Sequence, residues 1–204
     1  MNMRGLPAST EIHKLIPKKK VVEHFGAEMS AARRKKFDAD IARMALVNEV
    51  SPLSVNLPVG DTVKNFFVLQ VGLKNRDFDP QNIAFLARLF GQRLLMELVF
   101  EDQQRLAVWQ TRLIMTDWMA ADAVELPFNG LTLEKVWENI VAFLAGIERQ
   151  QGKSLDEQLV ETAQKTKLAK EIERLEKRAW AEQQPKKKLA LKIKIDELKQ
   201  KLNE

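Results

Sequence analysis

The spacing of hydrophobic and polar residues changes along the chain, and each spacing predicts a different element. Pro17 rules out a continuous helix through the N-terminal residues, and residues 18–25 predict a short helix that Gly26 ends. Ser30 is a suitable N-cap for a helix that we predict from residue 31 to about residue 48. One face of that helix carries Phe37, Ile41, Met44 and Ala45 at helical spacing.

The middle of the chain predicts strands together with one helix. Residues 65–73 are β-branched, aromatic and apolar on both faces, which is typical of a central strand that is covered on each side. Asp79 and Pro80 predict the start of a helix that Gly91 ends. Three further strands are predicted at residues 94–100, 105–111 and 113–118, with a polar turn at 101–104.

A second amphipathic helix is predicted at residues 131–147. Thr132 is its expected N-cap, and its apolar face holds Val136, Ile140, Phe143 and Leu144. A helical crossover makes its two strands parallel, whereas hairpins add antiparallel neighbours. The order β-α-β-β-β-α therefore predicts an α+β fold with a mixed four-stranded sheet and packed helices.

From residue 153 onwards the composition changes to Lys, Glu, Gln, Leu and Ala. Two runs have the 4-3-4 spacing of a heptad seam: Leu168, Ile172, Leu175 and Ala179, and then Leu191, Ile195, Leu198 and Leu202. Pro185 lies between them. Since proline is unfavourable inside a helix but favourable in its first turn, we predict two helices in an antiparallel coiled-coil hairpin, and a single kinked helix is the lesser alternative. The predicted domains are an α+β core at residues 1–150 and a charged hairpin at 151–204.

Composition narrows the class of protein. The chain has 204 residues, of which 45% are hydrophobic and 30% are charged, so it is neither disordered by composition nor membrane-like. It contains no cysteine, which excludes disulfides and thiolate metal sites. The first 25 residues lack the apolar stretch of a secretory signal, so we expect a cytoplasmic location and no membrane contact.

The charge is divided unevenly along the chain. Residues 1–36 hold 9 Lys and Arg against 3 acids, residues 37–150 hold 10 against 15, and residues 151–204 hold 14 against 10. An acidic body with two basic ends is consistent with an anionic partner such as DNA or RNA. The candidate nucleic-acid contacts are Lys18, Lys19, Lys20, Arg33, Arg34, Lys35, Lys36, Lys186, Lys187 and Lys188. The alternative is that these cations are only the solvated faces of their segments.

The sequence has few features of a reaction centre. The two histidines, His13 and His24, lack metal-binding spacing, and the chain has neither a glycine-rich phosphate motif nor a G-x-S-x-G elbow. We therefore predict no catalytic residue, no metal site and no cofactor. A carboxylate-metal nuclease site is a less favoured alternative, with Asp77, Asp79, Glu97, Glu101, Asp102 and Asp117 as its candidate ligands. Glu97 lies mid-strand among apolar neighbours, so it must face solvent or have a partner.

The tryptophans separate into two groups. Trp109, Trp118 and Trp137 lie in predicted strands and a helix, and we expect them in the core. Trp180 lies in the charged hairpin instead. It either packs the hairpin on the body or marks a docking surface.

Several segments together resemble a bacterial and archaeal family known as domain of unknown function 4391. They are residues 6–18 (LPASTEIHKLIPK), 66–74 (FFVLQVGLK), 94–102 (LLMELVFED), 105–111 (RLAVWQT), 116–118 (TDW), 130–146 (GLTLEKVWENIVAFLAG) and the charged tail. The resemblance covers nearly the whole chain. It implies a gene neighbourhood with helicases and DNA methyltransferases in restriction-like, anti-phage loci.

The leading hypothesis is a non-enzymatic adaptor whose hairpin docks such a helicase or methyltransferase, or a second copy of the chain. The expected partner-binding residues are Leu168, Ile172, Leu175, Trp180, Leu191, Ile195, Leu198 and Leu202. The alternatives are that the hairpin packs on its own body, and that the basic ends bind DNA or RNA directly.

Overall fold

A computed structural model describes residues 5–25, 29–121, 123–150 and 152–203, so the predicted helix end at Gly26 lies outside the described residues. The chain divides into two compact units, residues 1–149 and residues 150–204. Within the described ranges, no helix combines the length and the apolar character that crossing a bilayer requires.

The first unit is built on a mixed seven-stranded sheet. Six strands lie side by side in chain order: β1 (Glu11–Leu15), β2 (Ile41–Val50), β3 (Phe66–Leu73), β4 (Leu94–Phe100), β5 (Gln103–Trp109) and β6 (Leu113–Met115). The short strand β7 (Met119–Ala120) also pairs with β5. Strands β3 and β4 are parallel, as the helical crossover between them predicts, and the other pairs are antiparallel.

Helices cover both faces of this sheet. The helices of the first unit are α1 (Lys18–Phe25), α2 (Ala31–Asp40), α3 (Pro52–Val55), α4 (Pro80–Leu89) and α5 (Leu133–Ala145). On one face, Phe37 of α2 and Leu86 of α4 join the buried cluster that contains Leu69 of β3. On the other face, the ring of Phe66 packs 5.3 Å from that of Trp137 in α5. Since side chains alternate along a strand, β3 is covered on both sides, as predicted.

The prediction of a single helix over residues 31–48 is wrong after residue 40, and the predicted strand number of four is wrong as well. Residues 41–50 form β2, which pairs with β1 on one side and with β3 on the other. Ile41, Met44 and Ala45 are buried, as the helical spacing predicted, but they are buried on a strand. Pairing on both edges satisfies the β2 backbone, and this long-range effect outweighs the local helical pattern.

The residues predicted to cap helices are more reliable guides to the structure than the helical spacing of residues 41–48. The side chain of Ser30 accepts a hydrogen bond from Arg33 N, that of Asp79 accepts one from Gln81 N, and that of Thr132 accepts one from Lys135 N. All three predicted caps are confirmed. The turn between β4 and β5 is tighter than predicted, because residues 103 and 104 already belong to β5. Phe143 is 47% exposed, so its assignment to the buried face of α5 is wrong.

The second unit contains two long helices, α6 (Leu155–Ala181) and α7 (Pro185–Asn203). Ser154 caps α6 by accepting a hydrogen bond from Glu157 N, and the carboxylate of Glu157 accepts one from Ser154 N. Pro185 is the first residue of α7, as predicted. Only three residues connect the helices, so they run in opposite directions where they pack together.

Candidate functional site

The heptad residues of the hairpin mostly face one another. Ile172, Leu175, Ala179 and Ile195 form a buried cluster, and Leu191, Leu198 and Leu202 pack against it half-buried. Leu168 is also half-buried. The side chains of this cluster therefore hold α6 against α7, and Trp180 is the member of the candidate partner-binding set that is mostly exposed.

Trp180 is 87% exposed at the end of α6, next to a groove between the two helices. The groove has a volume of about 640 Å³. Ala179 and Ile195 contribute to its apolar lining, and Lys188 and Lys192 contribute positive charge. An exposed indole beside an apolar groove with a cationic edge has the composition of a protein contact surface.

The charges around the groove are only partly paired. Lys199 Nζ lies 2.7 Å from Glu176 Oε1, and this contact raises the pKa of Lys199. Asp196 is the second carboxylate of the lining. Among the described hairpin residues, neither Lys188 nor Lys192 has an ion-pair partner. The predicted basic residues Lys186 and Lys187 share the first turn of α7 with Lys188 and are exposed.

The basic residues near the N-terminus are largely engaged within the first unit. Lys18 contacts Asp38, Lys19 contacts Glu23 at 3.6 Å, and Lys36 contacts Asp79 at 3.1 Å. The Lys18 pair joins α1 to α2 and the Lys36 pair joins α2 to the cap of α4, whereas the Lys19 pair lies within α1.

The two arginines of α2 also make contacts inside the unit. The guanidinium of Arg33 donates to the side chain and the carbonyl of Gln81 and lies 5.8 Å from the ring centre of Phe85. Arg34 donates to the carbonyl of Met29. The remaining candidates of the segment, Lys20 and Lys35, are exposed. Nucleic-acid binding by this set stays a prediction.

The candidate metal-ligating carboxylates do not converge among the residues that the structure describes, where no group of three or more His, Asp or Glu side chains has the arrangement for a metal ion. Asp79 serves as the cap of α4 and as the partner of Lys36, and both contacts lower its pKa. Glu97 is buried and accepts a hydrogen bond of 2.8 Å from Gln70 Nε2. The alternative in which Glu97 has a partner is therefore the correct one.

Sequence reasoning missed a cationic cavity on the first unit. Lys64 precedes β3, Arg88 lies near the end of α4, and Arg93 precedes β4, and all three line the cavity together with Trp109. A signal was present, because the amino ends of adjacent parallel strands meet at the same edge of a sheet. Lys64 and Arg93 lie directly before two strands that the sequence predicts correctly.

Comparison with known proteins gives a family but no activity. The model of a family described as a domain of unknown function, DUF4391, matches residues 5–202. No curated protein and no solved structure matches the chain.

Proposed function

The chain belongs to the DUF4391 family, and we propose that it is a non-enzymatic adaptor of a bacterial restriction-modification-like defence system. Its hairpin docks a larger DNA-acting protein, a helicase or DNA methyltransferase encoded nearby. The choice of partner rests on the gene neighbourhood that the family resemblance implies. The choice of surface rests on the hairpin itself.

The observation that carries the proposal is the exposure of Trp180. Tryptophan is normally well buried, and the largest binding energies at protein interfaces come from tryptophan, tyrosine and arginine. The indole of Trp180 is 87% exposed while the seam residue before it, Ala179, is buried. Exposing so large an apolar side chain to water is unfavourable in free energy, and burial against a partner surface would remove this unfavourable exposure.

The positive charge beside Trp180 favours an acidic partner surface. Lys188 and Lys192 line the groove, and Lys186 and Lys187 lie at the start of the same helix. The complementary surface is an acidic segment that places an apolar side chain in the groove and carboxylates against the lysines. Such a segment gives both the affinity and the orientation of the complex.

Support for a non-enzymatic role comes from the structural use of the polar residues. Glu134 accepts hydrogen bonds from Asp61 N and Thr62 Oγ1, and Glu97 is held by Gln70. Asp40 accepts from Asp79 N and from Asn82 Nδ2. Each of these carboxylates therefore has hydrogen-bond partners within the first unit.

Co-purification of the full-length chain with the neighbouring helicase or methyltransferase tests the proposal. Wild type is expected to retain the partner at moderate salt, whereas Trp180→Ala and the double variant Lys188→Glu/Lys192→Glu are expected to lose it. Lys170→Glu is the matched control for charge, because Lys170 is exposed on α6 and does not line the groove. Val160→Ala is the control for loss of an exposed apolar side chain.

Three results would contradict the proposal. One is equal retention of the partner by wild type and by the groove variants. A second is a wild-type homodimer that Trp180→Ala dissociates, because the groove would then be occupied by a second copy. The third is a complex that nuclease treatment destroys, because DNA or RNA would then bridge the two proteins.

A further inference from the structure

The first unit contains a cavity of about 450 Å³ that the adaptor function does not use. Its walls come from the segment before β3, the end of α4, the start of β4 and the end of β5. The volume lies in the range of about 300–1,000 Å³ that is usual for small-molecule sites. It is therefore large enough for more than an inorganic anion.

The lining of this cavity carries positive charge without a carboxylate. Lys64, Arg88 and Arg93 all contribute, and the remaining lining residues are neutral. Among the described residues, none of these three cations has an ion-pair partner. The first unit is otherwise acidic over residues 37–150, with 10 Lys and Arg against 15 acids. The cavity is therefore a positively charged region of an otherwise acidic segment of the chain.

Arg93 is held in place by the core. Its Nη1 donates a hydrogen bond of 2.9 Å to Gln110 Oε1, which also accepts one of 3.2 Å from Nε1 of the buried Trp137. The half-buried guanidinium is therefore oriented before any ligand arrives. A planar guanidinium suits two oxygens of a phosphoryl group better than an ammonium does.

Arg88 and Trp109 lie close together in the lining of the same cavity. The guanidinium carbon of Arg88 lies 5.5 Å from the centre of the Trp109 ring, and Arg88 Nε donates to the carbonyl of Ala84. Arginine guanidinium groups and indole rings are surfaces on which nucleobases stack. The amides of Asn65 and Gln92 add hydrogen-bonding groups to the lining.

We infer that this cavity binds a nucleoside phosphate, with Lys64 and Arg93 on the phosphoryl oxygens and the base against Arg88 and Trp109. The ligand is either a free nucleotide or the terminal nucleotide of a nucleic-acid strand, because both present the same phosphate and base. This site does not depend on docking by the hairpin.

Titration of the full-length chain tests the inference with four probes. They are inorganic phosphate, adenosine diphosphate, and a short labelled DNA strand with and without a 5′-phosphate. Binding of adenosine diphosphate or of the 5′-phosphorylated strand is expected, and the stronger of the two identifies the source of the ligand. The double variant Lys64→Gln/Arg88→Gln is expected to lose about tenfold or more in affinity, since hydrogen bonds to charged groups are the strong ones.

Two further variants distinguish binding at a specific site from non-specific electrostatic attraction of the anionic probes. Arg93→Lys keeps the positive charge but loses the planar guanidinium that can contact two phosphoryl oxygens at once. It is therefore expected to weaken binding about tenfold while the circular dichroism spectrum stays unchanged. Lys14→Gln/Arg43→Gln removes the same charge at two exposed positions on β1 and β2 that do not line the cavity, and it is expected to bind as wild type. The inference is overturned if no probe binds, if inorganic phosphate binds as tightly as the nucleotide, or if the control variant loses as much affinity as the cavity variant.

Discussion

Gln70 and Glu97 lie opposite each other in the parallel strands β3 and β4, and Gln70 Nε2 donates a hydrogen bond of 2.8 Å to Glu97 Oε2. Burial raises the pKa of Glu97, because desolvation disfavours the ionised carboxylate more than the hydrogen bond from Gln70 favours it. Glu97, in the centre of the sheet, therefore keeps its proton to a higher pH than an exposed glutamate does.

This raised pKa predicts how stability depends on pH. Between the unfolded and the folded pKa of Glu97, the folded state keeps a proton that the unfolded state has released, so the free energy of unfolding falls as pH rises through the folded pKa. Glu97→Gln is neutral at every pH and still offers an oxygen to Gln70. We expect this variant to be more stable than wild type at neutral pH and to lose that advantage below the unfolded pKa.

Thermal unfolding followed by circular dichroism from acidic to neutral pH measures this difference. Glu49→Gln is the control, because Glu49 is only half-buried. A constant difference between wild type and Glu97→Gln at all pH values would contradict a buried, protonating carboxyl at this position.

The seam of the hairpin predicts a second effect. Leu175 is only 2% exposed in the cluster that joins α6 and α7, and replacing it by alanine leaves a cavity. We expect Leu175→Ala to lower the opening free energy of the hairpin by about 2–4 kcal/mol. Hydrogen exchange of the α6 and α7 amides measures this opening directly.

Leu189→Ala is the matched control for this prediction. Leu189 is 60% exposed on α7, so its truncation is expected to change the opening free energy by no more than about 0.5 kcal/mol. Equal protection of the amides in both variants would show that the seam does not hold the two helices together.

Asp40 predicts a third effect, in the first unit. Its Oδ2 accepts hydrogen bonds from Asp79 N at 2.9 Å and from Asn82 Nδ2 at 2.8 Å, and Asn82 is buried. Asp40→Ala removes both bonds and leaves the Asn82 amide without this acceptor. We expect a loss of about 2–3 kcal/mol in the free energy of unfolding, measured by urea denaturation with an unchanged m value.

Asp38→Ala provides the comparison for Asp40. Asp38 contacts Lys18 and Lys74, but its carboxylate is mostly exposed, so solvent already screens these ion pairs. A loss at Asp38 equal to that at Asp40 would show that the buried hydrogen bonds do not determine the difference.

The sequence predicts the fold where local signals and tertiary contacts agree. The caps at Ser30, Asp79 and Thr132 depend on residues within one turn, so the sequence contains all the information they require. Residues 41–50 show the opposite case, because their helical spacing is local while the strand pairing on both edges is not. Strand β1 has no alternating hydrophobic pattern that would predict it, because four of its five residues are exposed.

The two candidate sites also differ in how much of each the sequence alone predicts. Heptad spacing identifies Ile172, Leu175 and Ile195 as an apolar seam, but it does not tell which surface of the hairpin stays open beside Trp180. The cavity with Lys64 and Arg93 requires the parallel register of β3 and β4, which brings residues about thirty positions apart to one edge. Neither position has a motif of its own.

The dissociation constant of the complex with the purified partner tests the docking claim most directly. Measured calorimetrically at physiological salt, Trp180→Ala is expected to bind about thirtyfold more weakly than wild type, which corresponds to the loss of about 2 kcal/mol at an aromatic hot spot. Val160→Ala is expected to bind as wild type. A dissociation constant for Trp180→Ala within about twofold of the wild-type value, less than about 0.5 kcal/mol, would contradict the account.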